Sequence, residues 1–166
     1  PEETAGAFIA SMMRTDGPTA LILSRQAIPT MSDLSVQERR DGVLRGGYVA
    51  VKETGALKTI IIGTGSELQH CVEAAKQLGE GVRVVSMPCV ERFERQSAEY
   101  KESVLPAAVI KRVAVEALAK DSWYKYVGLN GAIIGMDTFG ESAPAKELYE
   151  LFGITTQAVV DAANAL

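Results

Sequence analysis

Three places in the 166-residue sequence carry residue types and spacings that could do chemistry. Gly63-Thr64-Gly65-Ser66-Glu67 joins an apolar run to an amphipathic stretch, a setting in which free backbone amides and the dipole of a helix start hold phosphate. The spacing fails a dinucleotide fingerprint, because Leu68 stands where a third glycine is needed and Ser86-Met87-Pro88 closes the next apolar run without an acidic residue. Ser66 with Gln69 three positions on also spells a capping box, in which each side chain satisfies an amide left free by the first turn. Gly63, Thr64, Gly65 and Ser66 therefore carry two readings: a helix cap, the commoner use of such residues, and a cradle for a nucleotide or another phosphate compound.

Ser24-Arg25-Gln26 follows the apolar run 19–23, and the exit of a strand is where α/β proteins place binding groups. The Arg25 guanidinium could grip a phosphate or carboxylate through paired hydrogen bonds, although a single charge specifies little. The third place is His70-Cys71. His70, the only histidine, falls off the apolar stripe Leu68, Cys71, Val72, Ala75 and Leu78 and is expected to face solvent. Neighbours on a helix point in different directions, which argues against a Cys and His nucleophile pair. One histidine and two cysteines make no zinc ligand set.

Trp123-Tyr124-Lys125-Tyr126-Val127-Gly128 reads as core or subunit-contact packing rather than a stacking platform. Ser142 and Pro144 read as the cap and first turn of a helix. Glu91, Glu94, Glu116, Asp137 and Glu141 are scattered, so the sequence nominates no acid and base pair.

The elements that must position these residues follow from periodicity. Helical spacing over 3–14 (Ala5, Phe8, Ile9, Met12, Met13) precedes a short strand at 19–23, and a polar stretch at 29–47 reads as a linker. Strands are then expected at 58–62, 82–86, 111–116 and 132–135, and helices at 67–78, 99–105, 143–152 and 156–166. Alternation of strand and helix predicts an α/β fold, a mostly parallel twisted sheet with helices on both faces in three layers.

Seventeen basic against 21 acidic residues give a net charge of -4, and no cationic run suits nucleic acid or anionic lipid. Apolar runs such as 59–62 and 132–134 fall far short of the ~20 residues that cross a bilayer. Two cysteines fit a reducing, cytoplasmic compartment. Because the chain starts at Pro1 and reads at once as packed structure, it is expected to be a piece of something larger.

Five strings add a resemblance: Asp16-Gly-Pro-Thr-Ala-Leu-Ile-Leu-Ser-Arg-Gln26, Arg45-Gly-Gly-Tyr-Val49, Val84-Val-Ser-Met-Pro88, Tyr100-Lys-Glu-Ser-Val-Leu-Pro106, and the run from Trp123 to Ala145. In their order, and over essentially the whole chain, they resemble transketolase. The resemblance implies that 1–26 is a remnant of the pyrimidine-binding domain, 27–56 a linker and 57–166 the complete C-terminal domain. It implies a full-length homodimer that moves a two-carbon ketol unit between ketose and aldose phosphates with thiamine diphosphate and Mg2+, neither expected on this fragment. Of the family's site residues only Arg25 has a counterpart here, as the arginine that binds the substrate's terminal phosphate; the fragment alone is expected to be mainly structural and inactive. Two alternatives stand beside this: a regulatory phosphate-binding module at Gly63 to Glu67, and a separately encoded half of a split enzyme. Stripped of its own domain, 1–26 is expected to be disordered, refolded against the rest, or paired with another copy.

Overall fold

The computed structural model describes residues 1–31 and 34–166. Among these, β1 (Tyr48–Val51), β2 (Thr59–Gly63), β3 (Val82–Ser86), β4 (Lys111–Ala119) and β5 (Ala132–Met136) form one sheet in the order β1-β3-β2-β4-β5. The last four run parallel, and β1 pairs antiparallel with β3 at one edge. Eight helices surround it: α1 (Glu2–Met12), α2 (Val36–Arg45), α3 (Leu68–Leu78), α4 (Val90–Glu94), α5 (Ala98–Val104), α6 (Tyr124–Val127), α7 (Ala145–Leu151) and α8 (Thr156–Ala165).

The period of two along each strand divides the core. Ile61, in register between Val84 and Val113, faces Cys71 and Ala74 of α3 and Val159 of α8. Ile60, Ile62, Val85 and Ala114 face the other way, onto Phe93 of α4, Val104 of α5, and Trp123 and Tyr126 around α6. Because both faces are covered, β2 and β3 are buried along their whole length, which is why they read as uninterrupted apolar runs. The three-layer α/β architecture expected from alternation is the one observed. The Trp123 to Val127 cluster packs as expected, with Trp123 and Tyr126 buried and Tyr124 left exposed.

The N-terminal third differs from expectation. The segment 19–23 forms no strand; Ile22 is 96% exposed, because a strand needs a hydrogen-bonding neighbour and no described segment offers one. The stretch 27–56, expected as a linker, contains α2 and β1, while Ser32 and Asp33 lie outside the described residues. Here the sequence does hold a capping box, one the polar composition masked: Ser35 Oγ accepts from the Glu38 amide and Glu38 Oε2 accepts from the Ser35 amide. Gly46, at φ +88°, then turns the chain out of α2 in the left-handed conformation that a glycine adopts without strain.

Helix α1 docks onto this unit. Glu3 Oε1 accepts from Tyr48 Oη at 2.8 Å and from Ser86 Oγ at 2.5 Å, and Glu2 lies 3.3 Å from Arg39 of α2. The first half of 1–26 packs against the chain's own body, while 14–25 is almost wholly exposed.

Candidate functional site

The loop from β2 into α3 passes through a 3-10 turn at Gly65–Glu67. The expected capping box of Ser66 and Gln69 does not form. Ser66 Oγ donates to Glu67 Oε1 at 2.7 Å, and Gln69 Nε2 donates to the Ser66 carbonyl at 2.9 Å. The 3-10 turn displaces the helix start to Leu68, which puts the Ser66 hydroxyl out of capping position.

What occupies the loop is a buried polar cluster. Glu67, 6% exposed, and Ser66, 9% exposed, meet Tyr149 of α7, whose phenol lies 2.7 Å from Glu67 Oε1 and 2.8 Å from Ser66 Oγ. The phenol has one proton to donate and lone pairs with which to accept. It accepts from Gln26 Nε2 at 3.2 Å, a contact across 123 residues of sequence. Burial first, then the Glu67 carboxylate, pushes the Tyr149 phenol up to about 12, so it stays protonated and remains a donor at neutral pH.

His70, expected to face solvent, is half-buried. Its ring meets that of Tyr149 edge-on, centroids 4.9 Å apart, and Nδ1 lies 3.2 Å from Thr156 Oγ1 of α8. Desolvation lowers its pKa, and Nε2 is buried with no hydrogen-bond partner among the described residues. The apolar stripe of α3 predicted which face meets the sheet, but not that α7 and α8 would cover the flank carrying His70. Cys71 lies on the core face, 0% exposed, and burial raises its thiol far above the ordinary value, so no nucleophile pair forms.

Beside this cluster a cleft of about 940 Å³ opens at the C-terminal ends of β4 and β5. Strand β4 bulges there: Val115 pairs with Ile134 and Ala119 with Met136, so three residues of β4 oppose Gly135 alone. Gln26, Glu67, Lys120, Met136, Phe139 and Tyr149 are among the lining side chains, and Lys120 pairs with Asp137 at the rim. The expected helix near 143–152 is α7, whose N-cap is Pro144; Ser142 makes no capping bond.

Two of the other scattered carboxylates, Glu94 and Glu116, are engaged in structure. Glu94 accepts from Tyr126 Oη and lies 2.8 Å from Lys125 Nζ, and Glu116 Oε2 accepts from Trp123 Nε1 at 2.7 Å. Burial raises the Glu116 pKa. Among the described residues no three His, Cys, Asp or Glu side chains lie together to hold a metal ion, and no helix is long and apolar enough to cross a membrane.

Arg25 is exposed, one residue from the buried cluster that Gln26 reaches. The structure thus brings all three places singled out in the sequence together around Tyr149, which touches Ser66 and Glu67, Gln26 and the His70 ring and which no local pattern nominated. Only its placement on α7 opposite Ser66, 83 residues away, reveals it.

A family model described as the transketolase-like C-terminal domain matches residues 46–155. The transketolase of Physarum polycephalum is 60% identical over 163 residues, covering 98% of this chain and 25% of the relative; that of Dictyostelium discoideum is 54% identical, covering 97% and 24%. Among solved structures, the transketolase of Leishmania mexicana superposes with a TM-score of 0.89 at 42% identity, covering 99% of this chain and 24% of the other. A transketolase of Pichia stipitis in complex with sedoheptulose-7-phosphate gives 0.86 at 34% identity, covering 99% and 23%. The chain spans about a quarter of the length of the curated relatives it matches.

Proposed function

The chain belongs to the transketolase family, and on that premise we propose that it works as the C-terminal part of a longer enzyme transferring a two-carbon ketol unit between ketose and aldose phosphates. In this reading Arg25 holds the substrate's terminal phosphate and 1–26 closes the pyrimidine-binding domain; the pairing of β1 with β3 and a family model that starts at residue 46 support a C-terminal domain that begins ahead of residue 57. The enzyme acts as a homodimer in the cytoplasm. The observation that carries the reading is the state of Arg25: exposed within Ser24-Arg25-Gln26, with no carboxylate at ion-pair distance among the described residues.

A planar guanidinium offers two parallel donors to a phosphate and so fixes direction as well as distance. Holding the far end of a sugar phosphate aligns its reacting end, which favours reaction by limiting the orientations sampled. The resemblance also implies thiamine diphosphate and Mg2+ in the full-length enzyme. Among the described residues no three His, Cys, Asp or Glu side chains stand together to hold the metal ion. The part proposed for this chain is therefore binding and alignment.

The alternative of a regulatory phosphate module at Gly63 to Glu67 is not favoured. The Glu67 carboxylate is already seated at the start of α3, and its negative charge opposes an anion there.

The test is Arg25→Ala in the full-length enzyme. Loss of a charged, bidentate contact should raise KM for an aldose phosphate by about tenfold or more, while KM for the same aldose without its phosphate stays unchanged. An equal effect on both substrates would remove Arg25 from the phosphate site.

A further inference from the structure

We propose that Tyr149 is a positioning residue for the Arg25 loop, acting from α7 through Gln26, an inference that rests on the reading of Arg25 as the phosphate anchor. Between residues 14 and 30, Gln26 alone among the described residues makes a side-chain hydrogen bond to the body of the domain; Arg14 bonds only to Asp16 and the Pro18 carbonyl, within the segment. Gln26 and Leu21 are the half-buried positions in an otherwise exposed run. Consecutive Cα atoms are about 3.8 Å apart, so whatever fixes Gln26 fixes the backbone from which the Arg25 side chain projects.

Gln26 is held by a rigid acceptor. The Tyr149 ring is braced edge-on by His70, and its proton is committed to the buried pair of Glu67 and Ser66. The phenol oxygen therefore keeps a lone pair turned to the Gln26 amide, with which it lies in contact at 3.2 Å. This gives the loop at Gly65, Ser66 and Glu67 a role in substrate binding without any contact to phosphate: it orients Tyr149. Placement matters at this scale, since an error of about 1 Å in a substrate-holding group can cost orders of magnitude in rate.

Tyr149→Phe in the full-length enzyme removes the hydroxyl and keeps the ring against His70. Losing one positioning hydrogen bond should raise KM for an aldose phosphate about fivefold, with kcat little changed and KM for the unphosphorylated aldose unaffected. Gln26→Leu should give the same selective rise, and the double variant should be no worse than either single one. Should Tyr149→Phe fail to fold, the selectivity of Gln26→Leu decides the matter alone. The proposal is overturned if phosphorylated and free aldoses suffer equally, or if the two substitutions multiply. It also falls if Arg25→Ala, run beside them, shows no phosphate selectivity, in which case the anchor reading falls with it; a selective Arg25→Ala with a silent Tyr149→Phe removes the positioning role alone.

Discussion

Arg83 and Glu53 form a two-bond fork, Nε to Oε2 at 2.8 Å and a terminal nitrogen to Oε1 at 2.7 Å, with 11% of each side chain exposed. The other terminal nitrogen donates to the Ser103 and Val104 carbonyls at the end of α5, so one guanidinium ties the connection after β1 to β3 and to the layer beyond. Its burial makes the pair asymmetric: together the charges are matched, but either alone is stranded.

Glu53→Gln should accordingly destabilise the domain by about 3 kcal/mol, the cost of leaving a largely buried charge without its partner. Urea denaturation measures it. A loss no larger than the few tenths typical of surface pairs would mean that water reaches the guanidinium.

The same pair sets an acid limit. Hydrogen bonding from Arg83 lowers the Glu53 pKa below its ordinary 4.5, and Lys125 followed by Tyr126 does the same for Glu94. A carboxyl whose folded pKa is depressed contributes stability that is complete above its unfolded pKa and is lost as pH falls through the folded one. Glu116, raised by burial, has the opposite sign and partly offsets the loss. Burial also lowers the His70 pKa, so melting temperature should begin to fall below about pH 6.5, where the unfolded chain takes up that proton more readily, and fall further below about pH 4.5. The Glu53→Gln variant should start lower and fall less steeply, and parallel curves would exclude Glu53 as a contributor.

Helix α1 should be separable from the rest. Gly42 lies against the Tyr48 ring so closely that a Cβ would overlap it, and Tyr48 carries one of the two hydroxyls that hold Glu3. Tyr48→Phe removes one hydrogen bond, about 1 kcal/mol, and should speed amide exchange in α1 roughly fivefold. Gly42→Ala should loosen α1 further by displacing the ring, a cost of about 1–3 kcal/mol for overpacking. If exchange in α1 is unchanged in both variants, Glu2–Arg39 and the close approach of Gly6 to Val43 suffice to hold it.

How legible each part was depends on where its determinants lie. Strands β2 and β3 announce themselves because Ile60, Ile61, Ile62, Val84 and Val85 are apolar on both faces, a signal contained within five residues. Helix α4 and strand β1 are short and owe their existence to packing, α4 through Phe93 against Ile60, Ile62 and Val85 and β1 against β3, partners that a local window does not contain. The role proposed for Arg25 rests on the resemblance, since its place at the exit of an apolar run nominates it only weakly. Tyr149 and the burial of Glu67 escaped both routes. A tyrosine on an amphipathic helix looks the same whether it meets water or a carboxylate, and the polar cluster exists only once α7 is laid beside α3.

The antiparallel edge strand has a consequence for where the domain can be cut. A chain cut at residue 57, where regular strand and helix alternation begins, would keep β3 without β1 and leave the outer row of β3 amides and carbonyls unpaired. It would also discard Glu53 and strand Arg83. A portion that starts at the Ser35 cap and runs through α8, whose Val159 is wholly enclosed, keeps α2, β1 and the whole sheet together. Chains cut between β1 and β3 should expose an adhesive sheet margin and assemble side by side, whereas those cut before Ser35 should remain discrete.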